Sequence, residues 1–210
     1  MTPQNEAGPR GNTYYILRHG EAEQNVRGIV YGRDDDSYAL TQAGRDQVKS
    51  AVEKLSGITK IYSSPICRAR ETAEIAADIL DIPREQIVHD VRLRELDFGV
   101  FQGKPVGEFI QYRNEHIHAL GDVFPEGESY LDAKRRFGHW LYETDEKLSR
   151  EHVLVVTHGI GIESLMAVAS GMSNTEALAY VRNHTFAYAH LTSFEFVAKP
   201  VNGDFEPLTV

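Results

Sequence analysis

The sequence predicts an α/β protein: a three-layer α/β/α sandwich around a central, mostly parallel mixed sheet. Three observations lead there. Short apolar runs of strand length alternate with longer stretches of helical period. Two of these runs, YYIL (14–17) and HVLVVT (152–157), read as buried strands, and each is followed by His-Gly. Near the end, two strand-like runs follow one another with no helix between, which calls for an antiparallel addition to the sheet.

The elements follow in order. MTPQNEAGPRGN (1–12) is polar, carries Pro and Gly, and lacks the apolar core of a signal peptide, so it is expected to be a flexible tail. After the first strand comes a polar loop (18–40). Thr41 then caps a helix carrying Val48, Ala51, Val52 and Leu55 on one face. ITKIYSS (58–64) is a second strand. The next helix is predicted to start at Ser64-Pro65, with an apolar stripe through Ile66, Ala69, Ala73 and Leu80. QIVHDVRL (86–93) is a weaker strand, and glycines and Pro105 break up the segment after it. Helices are expected over 107–120 and 129–149, inside a helical cap insertion around 104–150. The HVLVVT strand leads into a helix ending near Ser170, and Ser173 with Glu176 forms a capping box. TFAYAHL (185–191) and SFEFV (193–197) read as strands, and 201–210 as a C-terminal tail. No linker divides 13–200, which reads as one domain.

Composition narrows the function. The chain has 210 residues, 41% hydrophobic, with a net charge of −9. That argues against nucleic acid or an acidic membrane as partner, since both favour basic surfaces. Cys67 is the one cysteine, so no internal disulfide forms and a cytoplasmic setting is expected. Apolar runs are too short to span a bilayer.

The candidate site lies where the two strands end. Arg18-His19-Gly20 and His158-Gly159 put an imidazole at each strand exit, and such exits build the binding crevice of α/β sheets. Gly20 is expected to permit a sharp turn. Arg68 falls near a helix N-terminus, where anions are favoured. Glu95 is one carboxyl among Leu93, Leu96 and Phe98. Two guanidiniums can hold the oxygens of a phosphoryl group, a neutral imidazole can attack phosphorus, and a partly buried carboxyl can protonate a leaving group.

These pieces, with Asn25, LTQAG (40–44), SSPICRARETA (63–73), LRELDFGVFQG (93–103), PEGES (125–129) and VVTHG (155–159), stand in an order that resembles the histidine phosphatase superfamily, the phosphoglycerate mutase-like proteins. The resemblance spans nearly the whole chain. It implies that His19 accepts the phosphoryl group, that Arg18, Arg68 and His158 form the phosphate pocket beside Asn25 and Gly159, and that Glu95 is the proton donor, with Asp97 as the alternative acid. It implies a metal-independent phosphatase of a small phosphorylated metabolite, with inorganic phosphate as product and no cofactor. A phosphoglycerate mutase, or a non-catalytic phosphate-binding protein of the same fold, is the rival reading. A homodimer is compatible with it. Three departures bear on substrate choice: Ala22 replaces the usual Ser or Thr, Phe101-Gln102-Gly103 replaces Trp-Glu-Gly, and Glu163 stands where relatives often carry Arg.

Other features have simpler readings. Cys67 lacks an arginine six residues on and reads as a small helix residue. The acidic run RDDDS (33–37) reads as a solvated loop. His116 and His118 are a poor metal pair, and His89, His139, His152, His184 and His190 read as structural or surface residues. Glu128 and Ser129 most simply start a helix.

Overall fold

The computed structural model describes residues 11–33 and 37–208. Most of the expected N-terminal tail, and Asp34 to Asp36 of the acidic run, lie outside the described residues.

Five strands form one mixed sheet: β1 (Asn12–Arg18), β2 (Lys60–Ser63), β3 (Val88–His89), β4 (His152–Thr157) and β5 (Leu191–Phe196), in the order β3-β2-β4-β1-β5. Only β5 is antiparallel, pairing with β1. The strand expected over 86–93 shrinks to the two residues of β3, and a 3-10 turn, Val91–Leu93, follows it. The two late strands are one. Residues 185–190 stay outside the sheet because their backbone is used at the site described below.

Side chains alternate across the sheet with the strand period of two. Leu17, Ile61, Leu154 and Val156 face α2 (Gln42–Val52) and α3 (Cys67–Ile79), meeting Val48, Val52, Ala73 and Ala77. Tyr14, Ile16, Val153 and Val155 face α5 (Tyr130–Lys147) and α6 (Gly159–Ala169), meeting Phe137, Trp140, Leu141 and Ile162. These are the two outer layers of the expected sandwich. A short helix, α1 (Glu23–Val26), follows the first strand's loop.

A third apolar cluster lies beyond the sheet. Phe98, Phe109, Phe124 and Tyr130 join Leu178 and Val181, drawing in α4 (Val106–His116) and α7 (Asn174–Asn183). The cap expected over 104–150 is therefore narrower. Its latter half, α5, is a layer of the sandwich, with Trp140 fully buried. Nor is the C-terminal segment loose: Phe205 is buried against Gly138 of α5.

Capping explains several boundaries. Thr41, Ser129 and Ser173 each accept a hydrogen bond from a first-turn N–H, at Gly44, Asp132 and Glu176. The helix after β2 begins at Cys67 rather than at Pro65. Ser64 N–H still donates to the Val156 carbonyl, extending the ladder, and Ser64 Oγ accepts from Ile66 N–H.

Gly20 has a different purpose from the one its motif suggests. A Cβ there would lie 2.3 Å from the Gly44 carbonyl oxygen, and a Cβ on Gly44 would lie 2.0 Å from that of Glu21. The two glycines let α2 press its backbone against the loop that carries His19. Gly44→Ala should therefore lower the unfolding free energy by about 1–3 kcal/mol. Gly107→Ala, in open space at the start of α4, should change it by less than about 1 kcal/mol and upward. Urea unfolding of both variants checks this, and similar losses at both positions would contradict the packing argument.

Candidate active site

Parallel register brings the two histidines together. Arg18 pairs with Thr157, the last residues of β1 and β4, so the next residue of each strand emerges beside the other. The His19 and His158 rings stand 5.1 Å apart. His19 N–H donates to the Thr157 carbonyl, which fixes the exit of the first strand. β2 brings Ser64 to the same edge, where its hydroxyl is 2.8 Å from His158 Nε2.

His19 is buried with a defined tautomer. Its Nδ1 donates to the Gly20 carbonyl at 2.7 Å, which leaves the Nε2 lone pair to accept from Arg68 Nε at 3.1 Å. Burial, then the charges of Arg68 and Arg18, hold the imidazole well below the usual histidine pKa. It is a neutral base set among cations. His158 is held low by burial and the same arginines.

Both guanidiniums are anchored from behind. Arg18 donates to the Phe186 carbonyl and stacks over the Tyr188 ring at 4.6 Å. Arg68 donates to the Tyr31 carbonyl at 2.8 Å. Arg18 Nε and Arg68 Nη1 are buried with no hydrogen-bond partner among the described residues. Burial lowers the Arg68 pKa to about 10, so it stays charged at neutrality. Thr72 ties the two sides together: it donates to the Arg68 carbonyl and accepts from Gly20 N–H.

Glu95 is held by its own backbone and by α5. Its Oε1 accepts from Leu96 N–H at 2.9 Å. Arg136 of α5 donates to the carbonyls of Arg92, Arg94 and Glu95 and to Glu128. Burial raises the Glu95 pKa, opposed by Leu96 N–H, Arg68 and Arg18.

Arg18, His19, Asn25, Arg68, Glu95 and Gly159 all line one cavity of about 230 Å³. Asn25 Oδ1 accepts from Ala22 N–H, closing the first turn of α1. Gly159 and Ile160 open α6 on the cavity wall, where first-turn N–H groups and the helix dipole favour an anion. His158 is fully buried and stands behind the wall rather than on it. Asp97 is not on the wall. It accepts from Gly99 N–H and Gln102, bracing a turn, so it does not stand in for the acid. Glu128, beside the Ser129 cap, clamps Arg94 and Arg136.

Sequence reasoning missed several wall residues, Gln24, Arg113, Tyr130 and His184, and noted Glu163 only as a departure bearing on substrate choice. His184 is a surface residue, as expected, that also borders the cavity, with its Nδ1 hydrogen-bonded to the Tyr180 carbonyl. Glu163 carried a legible signal, since it lies four residues after Gly159 and shares its face of α6. Arg136 had none, because its partners are backbone carbonyls far away in sequence. Among the described residues no group of three or more His, Cys, Asp or Glu side chains is arranged to hold a metal ion. No helix there is long and apolar enough to cross a membrane.

Comparison with known proteins agrees with this geometry. The pattern of the histidine phosphatase superfamily (branch 1) matches residues 14–201. A protein named "Probable phosphoglycerate mutase GpmB" from Yersinia pestis is 31% identical over 177 residues, 80% of each chain. The structure of Bacillus stearothermophilus YhfR superposes with a TM-score of 0.72 at 28% identity, covering 92% of this chain and 93% of that one. A mycobacterial glucosyl-3-phosphoglycerate phosphatase shares the fold, with a TM-score of 0.70 at 24% identity over 87% and 89% of the two chains. The chain belongs to the histidine phosphatase superfamily.

Glu163 yields a stability prediction. Burial, reinforced by Glu95, raises the pKa of its carboxyl well above the usual glutamate range. A carboxyl whose folded pKa is raised contributes stability that is full below its unfolded pKa and lost as pH rises through the folded one. Glu163→Gln removes that loss. The variant should gain stability over the parent at about pH 8, and the gain should shrink toward about pH 5. Urea unfolding at both values measures it, and a gain independent of pH would contradict the assignment.

Proposed function

We propose that this member of the histidine phosphatase superfamily is a metal-independent phosphomonoesterase of a small phosphorylated metabolite, working through a phosphohistidine on His19. One observation carries the reading: a neutral His19 with its Nε2 lone pair available, between two buried guanidiniums that have unmatched N–H donors.

Arg18 and Arg68 take the non-bridging oxygens, and the start of α6 adds its N–H groups. Arg68 gives up its hydrogen bond to His19 as the phosphoryl group arrives. His19 Nε2 then bonds to phosphorus while the phosphorus–alkoxy oxygen bond breaks, and Glu95 passes its proton to the leaving oxygen. The resulting carboxylate takes a proton from water, whose oxygen attacks phosphorus. Phosphate departs, and His19 regains its lone pair. Preorganised charge supplies the stabilisation that a metal would otherwise give. His158, hydrogen-bonded to Ser64, supports the His19 ring from behind.

The mutase reading is weaker. A phosphoglycerate brings a carboxylate, and its bisphosphate a second phosphate, whereas beyond Arg18 and Arg68 the wall offers one further guanidinium, Arg113, set beside the acidic Glu163 and apolar side chains such as Phe109 and Ile110. The localisation proposed is the cytoplasm, on the single free cysteine.

The mechanism is tested by rapid quench. Phosphate from a labelled ester should appear on His19 within one turnover, with a chelator present, and His19→Ala should abolish it. A phosphoserine, or a requirement for one specific metal, would overturn the proposal. Isomerisation of 3-phosphoglycerate much faster than phosphate release would favour the mutase.

The acid is tested by leaving group. Glu95→Gln should lose roughly a hundredfold to ten-thousandfold in kcat/KM on an alkyl phosphate and far less on p-nitrophenyl phosphate, whose leaving group needs little protonation. Equal losses would assign Glu95 to binding or structure.

A further inference from the structure

On the phosphatase reading, we propose that Glu163 selects the alcohol part of the ester: its carboxyl accepts a hydrogen bond from a substrate hydroxyl, so the preferred substrates are phosphate monoesters of short polyhydroxy compounds.

The placement is set by α6. Gly159, Ile160 and Glu163 line the same cavity, one helical turn apart on one face. At 1.5 Å of rise per residue, Glu163 lies about 6 Å along the axis from Gly159, where the phosphoryl group would sit. A group held by Glu163 therefore belongs to the alcohol and not to the phosphate.

The chemistry of the position asks for a partner. Glu163 is 5% exposed, and its Oε2 is buried with no hydrogen-bond partner among the described residues. The wall around it sets apolar Phe98, Phe109 and Ile110 beside the charged groups Arg18, Arg113 and Glu95, none of which hydrogen-bonds that oxygen. Buried carboxyl oxygens are nearly always satisfied, and one left open in a binding cavity is completed by the ligand. The raised proton affinity of the group fits a neutral partner, since a protonated carboxyl still accepts through its carbonyl oxygen.

Charge decides which donor it is. A substrate carboxylate or second phosphate would face an acidic group. An ammonium would join Arg18, Arg68 and Arg113, three guanidiniums already on the wall. A hydroxyl donates to the carboxyl and adds no charge to the set. The small cavity suits a short chain.

The test compares esters of matched size. Wild-type kcat/KM should favour glycerol 1-phosphate over propyl phosphate by at least about tenfold, because a site built for a hydroxyl discriminates strongly against its absence. Glu163→Met should bring that ratio near one, and Glu163→Gln, which keeps a carbonyl acceptor, should retain much of it. An equal rate on both esters by the wild type overturns the assignment, and this arm needs no variant to fold. A ratio unchanged in Glu163→Met overturns it too, as does 3-aminopropyl phosphate exceeding glycerol 1-phosphate. A wild type inert on all three esters and on p-nitrophenyl phosphate would instead remove the phosphatase reading, and this inference with it.

Discussion

The site depends on one pairing, β1 beside β4 in parallel register. Because Arg18 faces Thr157, the chain delivers His19 and His158 to the same point on the sheet edge. A slip of one residue would send Ile16 and Leu17 to the opposite faces and move both histidines apart. The apolar clusters on the two faces make that slip costly. Tyr14 and Ile16 fit α5 and α6, while Leu17 fits α2 and α3. Core packing thus fixes the geometry of polar groups that could not fix it themselves.

Those polar groups pull against the fold. Buried Arg68 and two buried histidines lie together with half-buried Arg18, inside a protein whose net charge is −9. Burial of such charge is tolerable only with partners. Some are supplied: the carbonyls of Phe186, Tyr31 and Gly20, and a histidine lone pair. Others are withheld, at Arg18 Nε and Arg68 Nη1. On the proposed function, those open donors are what the phosphoryl oxygens would complete. Keeping both imidazoles neutral reduces the repulsion that the arginines would otherwise feel.

Much of this was legible in the sequence, for particular reasons. YYIL and HVLVVT could be read because buried strands are short and apolar, and His-Gly at both exits pointed to one edge of the sheet. Thr41, Ser129 and Ser173 could be read because capping is local. What could not be read depends on distant partners. The stretch 185–190 has strand composition, yet the Phe186 carbonyl takes Arg18 and Ala189 N–H donates to the His19 carbonyl. The site recruits backbone that the sheet would have used. Gly20 looked like a turn residue, but the reason for it is Gly44, which no local pattern announces. Arg136 is one of two adjacent arginines in its helix, distinguished by Glu128 and by three carbonyls more than forty residues back in the chain. Asp97, beside the acid in sequence, points its bonds into a turn instead.

Two carboxyls share the cavity, and their surroundings separate them. Glu95 has a Leu96 N–H on one oxygen, with Arg68 and Arg18 near enough to favour its ionised form against burial. Glu163 is likewise buried and likewise feels arginines, Arg18 and Arg113, but its Oε2 lacks a hydrogen bond and Glu95 raises its proton affinity. Burial raises both, and Glu163 on α6 feels Glu95 in addition. On the proposed mechanism, proton exchange falls to Glu95, the carboxyl with a backbone N–H on one oxygen. A group that holds its proton more tightly is better suited to reading a neutral partner. When Glu95 gives up its proton, the new charge further discourages ionisation of Glu163.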